Sequence, residues 1–395
     1  MDVFEKCKKF TRATDLIEAG IYPYFQALSG NDGSRVQMNG RNIIMLGSNN
    51  YLGLTHDPRV IEAIYKATKK YGASCSGSRF MNGTLDIHLE LEEKLAKFTN
   101  RESALIFSAG YLANMGAISA IVGKDDYLIL DKADHASIYA GAQSAFGATI
   151  KRYLHNNMDD LERVLSKLNP DKGKLIVSDG VFSMEGDIVN LERMVQIAQK
   201  YSARIYIDEA HGIGVLGKHS RGACEYLGYE NKVDLIMGTF SKSLGSIGGF
   251  VAGSAEVVNF IKHAARALIF TAAPMPAATA AALKSLEIIE QEPQRMERLN
   301  HISKFMHDSF KNMGFDIGCS NLTPIIPLYI RDEEKTMFFW KQLFDAGVFT
   351  NAVLSPGVPP DQAMLRTSFM SLLSDEDLEQ ALEIIQKVGR QIGII

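Results

Sequence analysis

Between residues 104 and 252 the chain alternates short apolar runs with stretches of helical periodicity. The run Ala104–Phe107 leads to a helical pattern over Tyr111–Ile121, and Tyr127–Leu130 to one over Ala136–Phe146. Leu175–Ser178 precedes a helical pattern over Leu191–Tyr201, and Arg204–Ile207, Leu235–Met237 and Phe250–Ala252 complete the set. Runs this short suit strands, and the intervening stretches are long enough to return the chain across a sheet as helices. The pattern therefore predicts an α/β fold: a mostly parallel central sheet with helices on both faces. Sheets of this kind bind ligands beyond the carboxyl ends of their strands, so the residues just after each run are the first place to look for chemistry.

The flanks read differently. The first 50 residues form a separate N-terminal segment, with a helix up to Glu18 and a hairpin around Asn39–Gly40. A large domain is expected over 51–276. From 277 to 395 the pattern is α+β: a long helical stretch to Met313 broken at Pro293, strands at Pro327–Ile330, Val348–Val353 and Leu365–Phe369, and helices at Glu334–Asp345 and Asp375–Ile392. At 395 residues the chain is long enough for more than one core.

Composition narrows the function classes. With 46% hydrophobic and 22% charged residues and a net charge of −4, the chain lacks the excess of Lys and Arg that binds nucleic acid. Cys7, Cys75, Cys224 and Cys319 are scattered without a Cys-x-x-Cys pair, so they read as reduced, buried thiols of a cytoplasmic protein and supply no metal site. The segment Met1–Phe10 has no apolar stretch of a signal peptide. Ala267–Leu283 is uncharged, but Pro274 and Pro276 interrupt it, and it reads as a core segment feeding a helix. Weak peripheral contact with the inner membrane is compatible with this composition.

Two segments carry the most specific chemistry. Ile-Tyr-Ile-Asp-Glu-Ala-His (205–211) ends a strand-like run on Asp208, with His211 close behind, and Gly-Thr-Phe-Ser-Lys-Ser (238–243) sets Lys242 among hydroxyls just after another run. A lone lysine is ordinarily a solvated charge, and an aspartate at a strand end can be a helix N-cap. Together, an acid and a lysine at neighbouring strand ends are what pyridoxal phosphate (PLP) requires: the amine forms a Schiff base with the cofactor aldehyde, and the carboxylate keeps the ring nitrogen protonated.

Other residues fit the same reading, each with a plainer alternative. Ser108-Ala109-Gly110-Tyr111 follows a strand and opens a helix, which offers free N–H groups to a phosphate or is simply a βα loop. Thr239 and Ser241 add hydroxyls beside Lys242. His135, just past a strand, can stack on a flat ring or be a hydrogen-bonded loop histidine, and Ser183 can meet a phenolic oxygen or shape a turn. Arg366 can clamp a carboxylate with its paired donors or make a surface ion pair.

Taken together, these segments resemble the α-oxoamine synthases, PLP enzymes of fold type I, over nearly the whole chain from Tyr24 onward. The resemblance rests on Ser-Asn-Asn-Tyr-Leu-Gly-Leu (48–54), Gly-Ser-Arg-Phe-Met-Asn-Gly-Thr (77–84), Asp-His-Ala-Ser-Ile (134–138), Asp-Gly-Val-Phe-Ser-Met-Glu-Gly-Asp (179–187) and Asp-Glu-Ala-His (208–211). It implies that Lys242 is the Schiff-base lysine and proton-transfer base and that Asp208 pairs with the pyridinium nitrogen. His135 would stack on the ring and help orient the substrate, and His211 and Ser183 would contact the phenolic oxygen. Gly110, Tyr111, Thr239 and Ser241 would seat the phosphate. Thr271 would reach the phosphate of a neighbouring subunit's cofactor, which implies a homodimer with shared active sites. Asn50 and Arg366 would lie near the amino-acid substrate. The lysine segment Gly-Thr-Phe-Ser-Lys-Ser, with Asn-Gly-Thr at 82–84 and Ser-Pro-Gly-Val-Pro at 355–359, resembles the branch that condenses L-serine with a long-chain acyl-CoA. Sister branches make 2-amino-3-ketobutyrate or 8-amino-7-oxononanoate. The chain departs from the family pattern at Leu373-Ser374, where a His-Thr pair is common, and at Gly357-Val358, where some relatives have Ala-Thr.

Overall fold

The computed structural model describes residues 2–31, 33–318 and 321–395. Cys319 lies outside the described residues. The chain divides into two compact units, Asn49–His301 and Met1–Ser48 with Ile302–Ile395.

The first unit is built on a seven-stranded sheet. In spatial order its strands are Ser103–Phe107, Gly249–Gly253, Leu235–Thr239, Arg204–Asp208, Lys174–Asp179, Tyr127–Asp131 and Thr149–Tyr153. Gly249–Gly253 runs antiparallel to both of its neighbours, and the pairings from Leu235–Thr239 out to Thr149–Tyr153 are parallel. Side chains alternate between two apolar layers, as the two-residue period of a strand requires. Leu128, Leu130, Leu175, Val177 and Tyr206 face one layer with the helix Gly110–Ile121, while Ile129, Ile176, Ile205 and Ile207 face the other with the helices Met158–Leu165 and Leu191–Lys200. Burial on both faces explains why these strands read as continuous apolar runs.

Thr149–Tyr153 escapes that pattern. It is one of the two outer strands, its first four residues are exposed, and Lys151 and Arg152 lie along it, which discourages pairing with another chain. The expected strand Val348–Val353 is divided. Val348–Phe349 pairs in parallel with Arg41–Met45, whereas Asn351–Val353 pairs antiparallel with Met364–Ser368. Between them the carbonyl of Thr350 accepts from the Trp340 indole N–H at 3.1 Å and is taken out of either ladder.

The second unit has its own core, centred on Phe310, Phe339, Trp340 and Phe369. It holds the three-stranded sheet Ile325–Tyr329, Met364–Ser368, Asn351–Val353 and the four-stranded sheet that begins at the N-terminal hairpin. The N-terminal segment and the C-terminal module therefore belong together, and the unit boundaries fall at 48/49 and 301/302 where 50/51 and 276/277 were expected. The helix Pro276–Gln291 lies in the first unit because it packs against the helices Pro58–Tyr71 and Asp86–Phe98. Pro276 opens that helix, where a missing N–H costs nothing. Leu373-Ser374 has a local explanation: Leu373 is buried, and the Ser374 hydroxyl caps the helix Asp375–Gln391 by accepting from Asp377 N–H at 3.0 Å.

Among the described residues no helix is long and apolar enough to cross a membrane. Of the cysteines, Cys224 is buried, Cys75 half-buried and Cys7 exposed, so burial does not extend to all of them.

Candidate active site

The parallel strands deliver their last residues to a cavity of about 300 Å³ at the carboxyl end of the sheet. Its walls include Gly110, Tyr111, His135, Asp208, His211, Thr239, Ser241 and Lys242. A larger cavity of about 590 Å³ lies at the opposite edge of the sheet, by Tyr127's neighbour Asp126 and by Lys174, Arg204 and Leu235, where the parallel strands begin. It holds none of these groups.

Asp208 closes its strand 2% exposed. One carboxyl oxygen accepts from the Asn114 amide at 2.6 Å and the other from Ala210 N–H at 2.8 Å. Asn114 also donates to Ser137 Oγ at 2.8 Å and accepts from the Tyr206 hydroxyl at 2.8 Å. These bonds fix the carboxylate's orientation and hold it as an acceptor. His211 is buried, and its Nδ1 lies 2.7 Å from the Tyr51 hydroxyl.

His135 caps the helix Ala136–Ser144, its Nδ1 accepting from Ser137 N–H at 3.2 Å. The surrounding protein strips water from the imidazolium and pushes its pKa below the ordinary value; Lys242 acts in the same direction and the Asp208 charge opposes both. The ring is therefore neutral at pH 7, suited to stacking on a flat aromatic group. Next to Asp208 in the sheet stands Asp179, buried and on the cavity wall, whose acid is pushed up by burial and then by the Asp208 charge. Behind it, hydrogen bonds from His155 reach Asp131 and Asp187 at 3.1 Å each. Burial works against the His155 cation, but these two bonds prevail and raise its pKa to about 10.

The candidate seat for an anion is built from small groups. The helix Gly110–Ile121 starts without a side-chain cap, so its first N–H groups remain for an anion. Thr239 Oγ1 lies 2.9 Å from Ser241 Oγ beside it. A Cβ on Gly110 would stand 2.6 Å from Thr239 Oγ1, and one on Gly249 would stand 2.6 Å from the Gly110 Cα. Only glycine leaves this cradle open. Gly110→Ala is expected to weaken PLP affinity by about 10-fold or more, the cost of about 1–3 kcal/mol for overpacking a tight site; titration of the apo-protein with PLP, followed by tyrosine and tryptophan fluorescence, checks it.

Four expected site residues are not among the cavity walls. Asn50 uses its side chain inside its own turn, donating to Thr55 Oγ1 at 2.8 Å and accepting from Leu54 N–H at 3.0 Å. Ser183 is half-buried in the turn bracketed by the Val181–Ile188 bridge. Thr271 follows the short helix Arg266–Ile269, between the exposed Phe270 and Ala272. Arg366 belongs to the other unit, in the middle strand of the three-stranded sheet, opposite Pro327 and Asn351. Conversely, sequence reading missed Asn114, Ser137, Asp179 and Tyr51. Asn114 had a visible signal: it is a buried amide inside an otherwise apolar helix, Gly-Tyr-Leu-Ala-Asn-Met-Gly-Ala.

A buried carboxylate, a lysine, a neutral imidazole and an anion seat around one cavity define a PLP enzyme of the fold-type-I class. The chain belongs to the family described as aminotransferase class I and II, whose profile matches residues 41–385. Within it, the chain is 47% identical to a serine palmitoyltransferase of Bacteroides thetaiotaomicron over 99% of both chains. It is 40% identical to an 8-amino-7-oxononanoate synthase of Thermoanaerobacter pseudethanolicus over 96% of both. A serine palmitoyltransferase from S. paucimobilis, solved with bound PLP–myriocin aldimine, superposes with a TM-score of 0.97 at 35% identity over the full length of both chains. The chain is thus a PLP-dependent acyltransferase, similar over its full length to bacterial serine palmitoyltransferases.

Proposed function

We propose that the protein condenses L-serine with palmitoyl-CoA, releasing CoA and carbon dioxide and forming 3-ketodihydrosphingosine. The observation that carries this reading is the full-length 47% identity to a serine palmitoyltransferase. When bound, PLP supplies an electron sink for a carbanion at the amino-acid α-carbon. The protein's residues do the rest. Lys242 binds the cofactor, then takes the α-proton and later returns a proton at the same carbon. Asp208, held by Asn114 and the Ala210 N–H, keeps the ring nitrogen protonated. Neutral His135 packs on the ring, and His211, braced by Tyr51, meets its phenolic edge. The N-terminus of the helix Gly110–Ile121, with Thr239 and Ser241, holds the phosphate. Asn50 is the candidate on the substrate side.

A homodimer fits the same reading. Phe80, Met81, Tyr111, Ile247, Phe270 and Met275 are all large, exposed and apolar. Tyr111 and Ile247 line the cavity, and the Ser78–Ala272 bridge ties the loop carrying Phe80 to the one carrying Phe270. An apolar rim of this kind calls for a partner, and a second copy covering it would bring Thr271 to the neighbouring phosphate.

The alternative product class is that of the oxononanoate synthase, which is 40% identical. A competition assay separates the two. Purified protein with PLP is offered L-serine, glycine and L-alanine together with palmitoyl-, acetyl- and pimeloyl-CoA, and the products are read by mass spectrometry. Dominant 3-ketodihydrosphingosine is expected. Dominant aminooxononanoate or aminoketobutyrate would move the assignment to a sister synthase.

A further inference from the structure

Beside the groups with assigned roles, carboxylates at the ends of two neighbouring strands form a reciprocal clasp. Tyr127–Asp131 and Lys174–Asp179 lie side by side in parallel. Asp134, just past the first, accepts from the main-chain N–H of Asp131 at 2.9 Å and of Asp179 at 3.1 Å. The Asp179 carboxylate reaches back and accepts from the main-chain N–H of His135 at 2.8 Å. Each loop is thus held by a side chain of the other. Asp134 is 6% exposed and Asp179 2%. Burying two acids together is costly, and burial pushes both of their pKa values up.

What the clasp holds is the residue that begins a hydrogen-bond chain to Asp208. His135 Nδ1 lies 2.7 Å from Ser137 Oγ, Ser137 Oγ accepts from Asn114, and Asn114 donates to Asp208. Asp179 also faces Asp208 directly as its register partner in the adjoining strand. We propose that Asp179 is a positioning residue of the cofactor site: with Asp134 it locks the His135 loop so that the imidazole and the Asp208 carboxylate keep one fixed arrangement around the bound ring.

The test uses PLP alone as probe, so it stands or falls independently of which amino acid and acyl-CoA the enzyme takes. Asp179→Ala and Asp179→Asn are compared with the parent protein for PLP affinity, for the circular dichroism that the asymmetric site induces in the visible band of bound PLP, and for the Tm of the apo form. Alanine leaves the His135 N–H without its acceptor. It is expected to weaken PLP binding about 10-fold and to reduce the induced dichroism, as loss of a supporting hydrogen bond typically does. Asparagine keeps an acceptor oxygen and is expected to restore most of the affinity and dichroism. The proposal is overturned if the alanine variant keeps the parent's affinity and dichroism, or if asparagine is as impaired as alanine, which would assign the effect to charge. Should Asp179→Ala fail to fold, Asp134→Ser decides: it withdraws the acceptors that Asp131 and Asp179 share, so reduced dichroism supports the clasp and an unchanged band overturns it.

Discussion

Lys242→Ala should leave a folded protein that forms no detectable condensation product. General acid–base transfer by a placed side chain is worth about 10²–10⁴-fold, and the variant loses that together with covalent attachment of the cofactor, so a fall of at least about 10³-fold is expected. Lys242 shares its cavity with Asp208 and His135, and among the described residues no other lysine lines it. Product formation by mass spectrometry and the visible spectrum after dialysis check the two losses separately. Turnover within about tenfold of the parent would sink the assignment of Lys242 as the proton-transfer base.

The largest effect on stability is expected at Arg79. Its guanidinium makes a two-pronged contact with Glu92, at 2.9 and 3.1 Å, with both side chains largely out of water. Glu92 also accepts from Ile106 N–H at 3.0 Å, which ties the pair to the first strand of the sheet. Removing the arginine alone strands a buried carboxylate, and breaking a buried pair this way costs about 3–5 kcal/mol. At about 2–4 °C per kcal/mol, Arg79→Ala should lower Tm by about 10 °C. Arg79→Met combined with Glu92→Gln should recover more than half of that loss, since glutamine is uncharged and still accepts from Ile106 N–H. A double variant no better than Arg79→Ala would show that the stability does not reside in this pair. Calorimetry of the parent, single and double variants makes the comparison. The damage would extend to the site: Ser78, the residue before Arg79, bridges to Ala272, whose carbonyl accepts from the Ser108 hydroxyl just ahead of the Gly110 helix.

The sheet was legible because its strands are buried on both faces. Leu-Ile-Val and Ile-Tyr-Ile announce themselves, whereas the exposed outer strand Thr-Ile-Lys-Arg-Tyr does not. Lys242, Asp208 and His135 stood out as candidates because each is a chemically distinctive residue at or within a few residues of such a strand end, and all three line one cavity. The supports behind them did not stand out, because their partners are remote in sequence. Tyr51 meets His211, Asn114 meets Asp208, and Asp179 meets His135, and apart from the lone amide of Asn114 in its apolar helix nothing local in those segments marks the encounter. Unit boundaries were obscured for a related reason. A helix beginning at Pro276 looks like the start of a new module until its packing on the helix Pro58–Tyr71 is known.

The reversed strand Gly249–Gly253 has a bearing on how such an enzyme can change. Elsewhere in the sheet, successive strands are linked through helices. Thr239 and Gly249, by contrast, are direct partners, and the Lys242 loop between them turns back on itself, with Phe240 N–H donating to Gly248 O at 2.9 Å and Gly245 N–H to Lys242 O at 2.9 Å. The Lys242 amine thus hangs from a turn closed by its own main-chain bonds and anchored outside at two points, Ser243 Oγ donating to Ile213 O and Ser246 Oγ to Ala278 O, each at 2.7 Å. Because both anchors are main-chain carbonyls, side-chain drift in the surrounding helices and loops can proceed while the Lys242 turn keeps its shape. A scaffold with that separation can be passed from one acyl-CoA to another without rebuilding its chemistry.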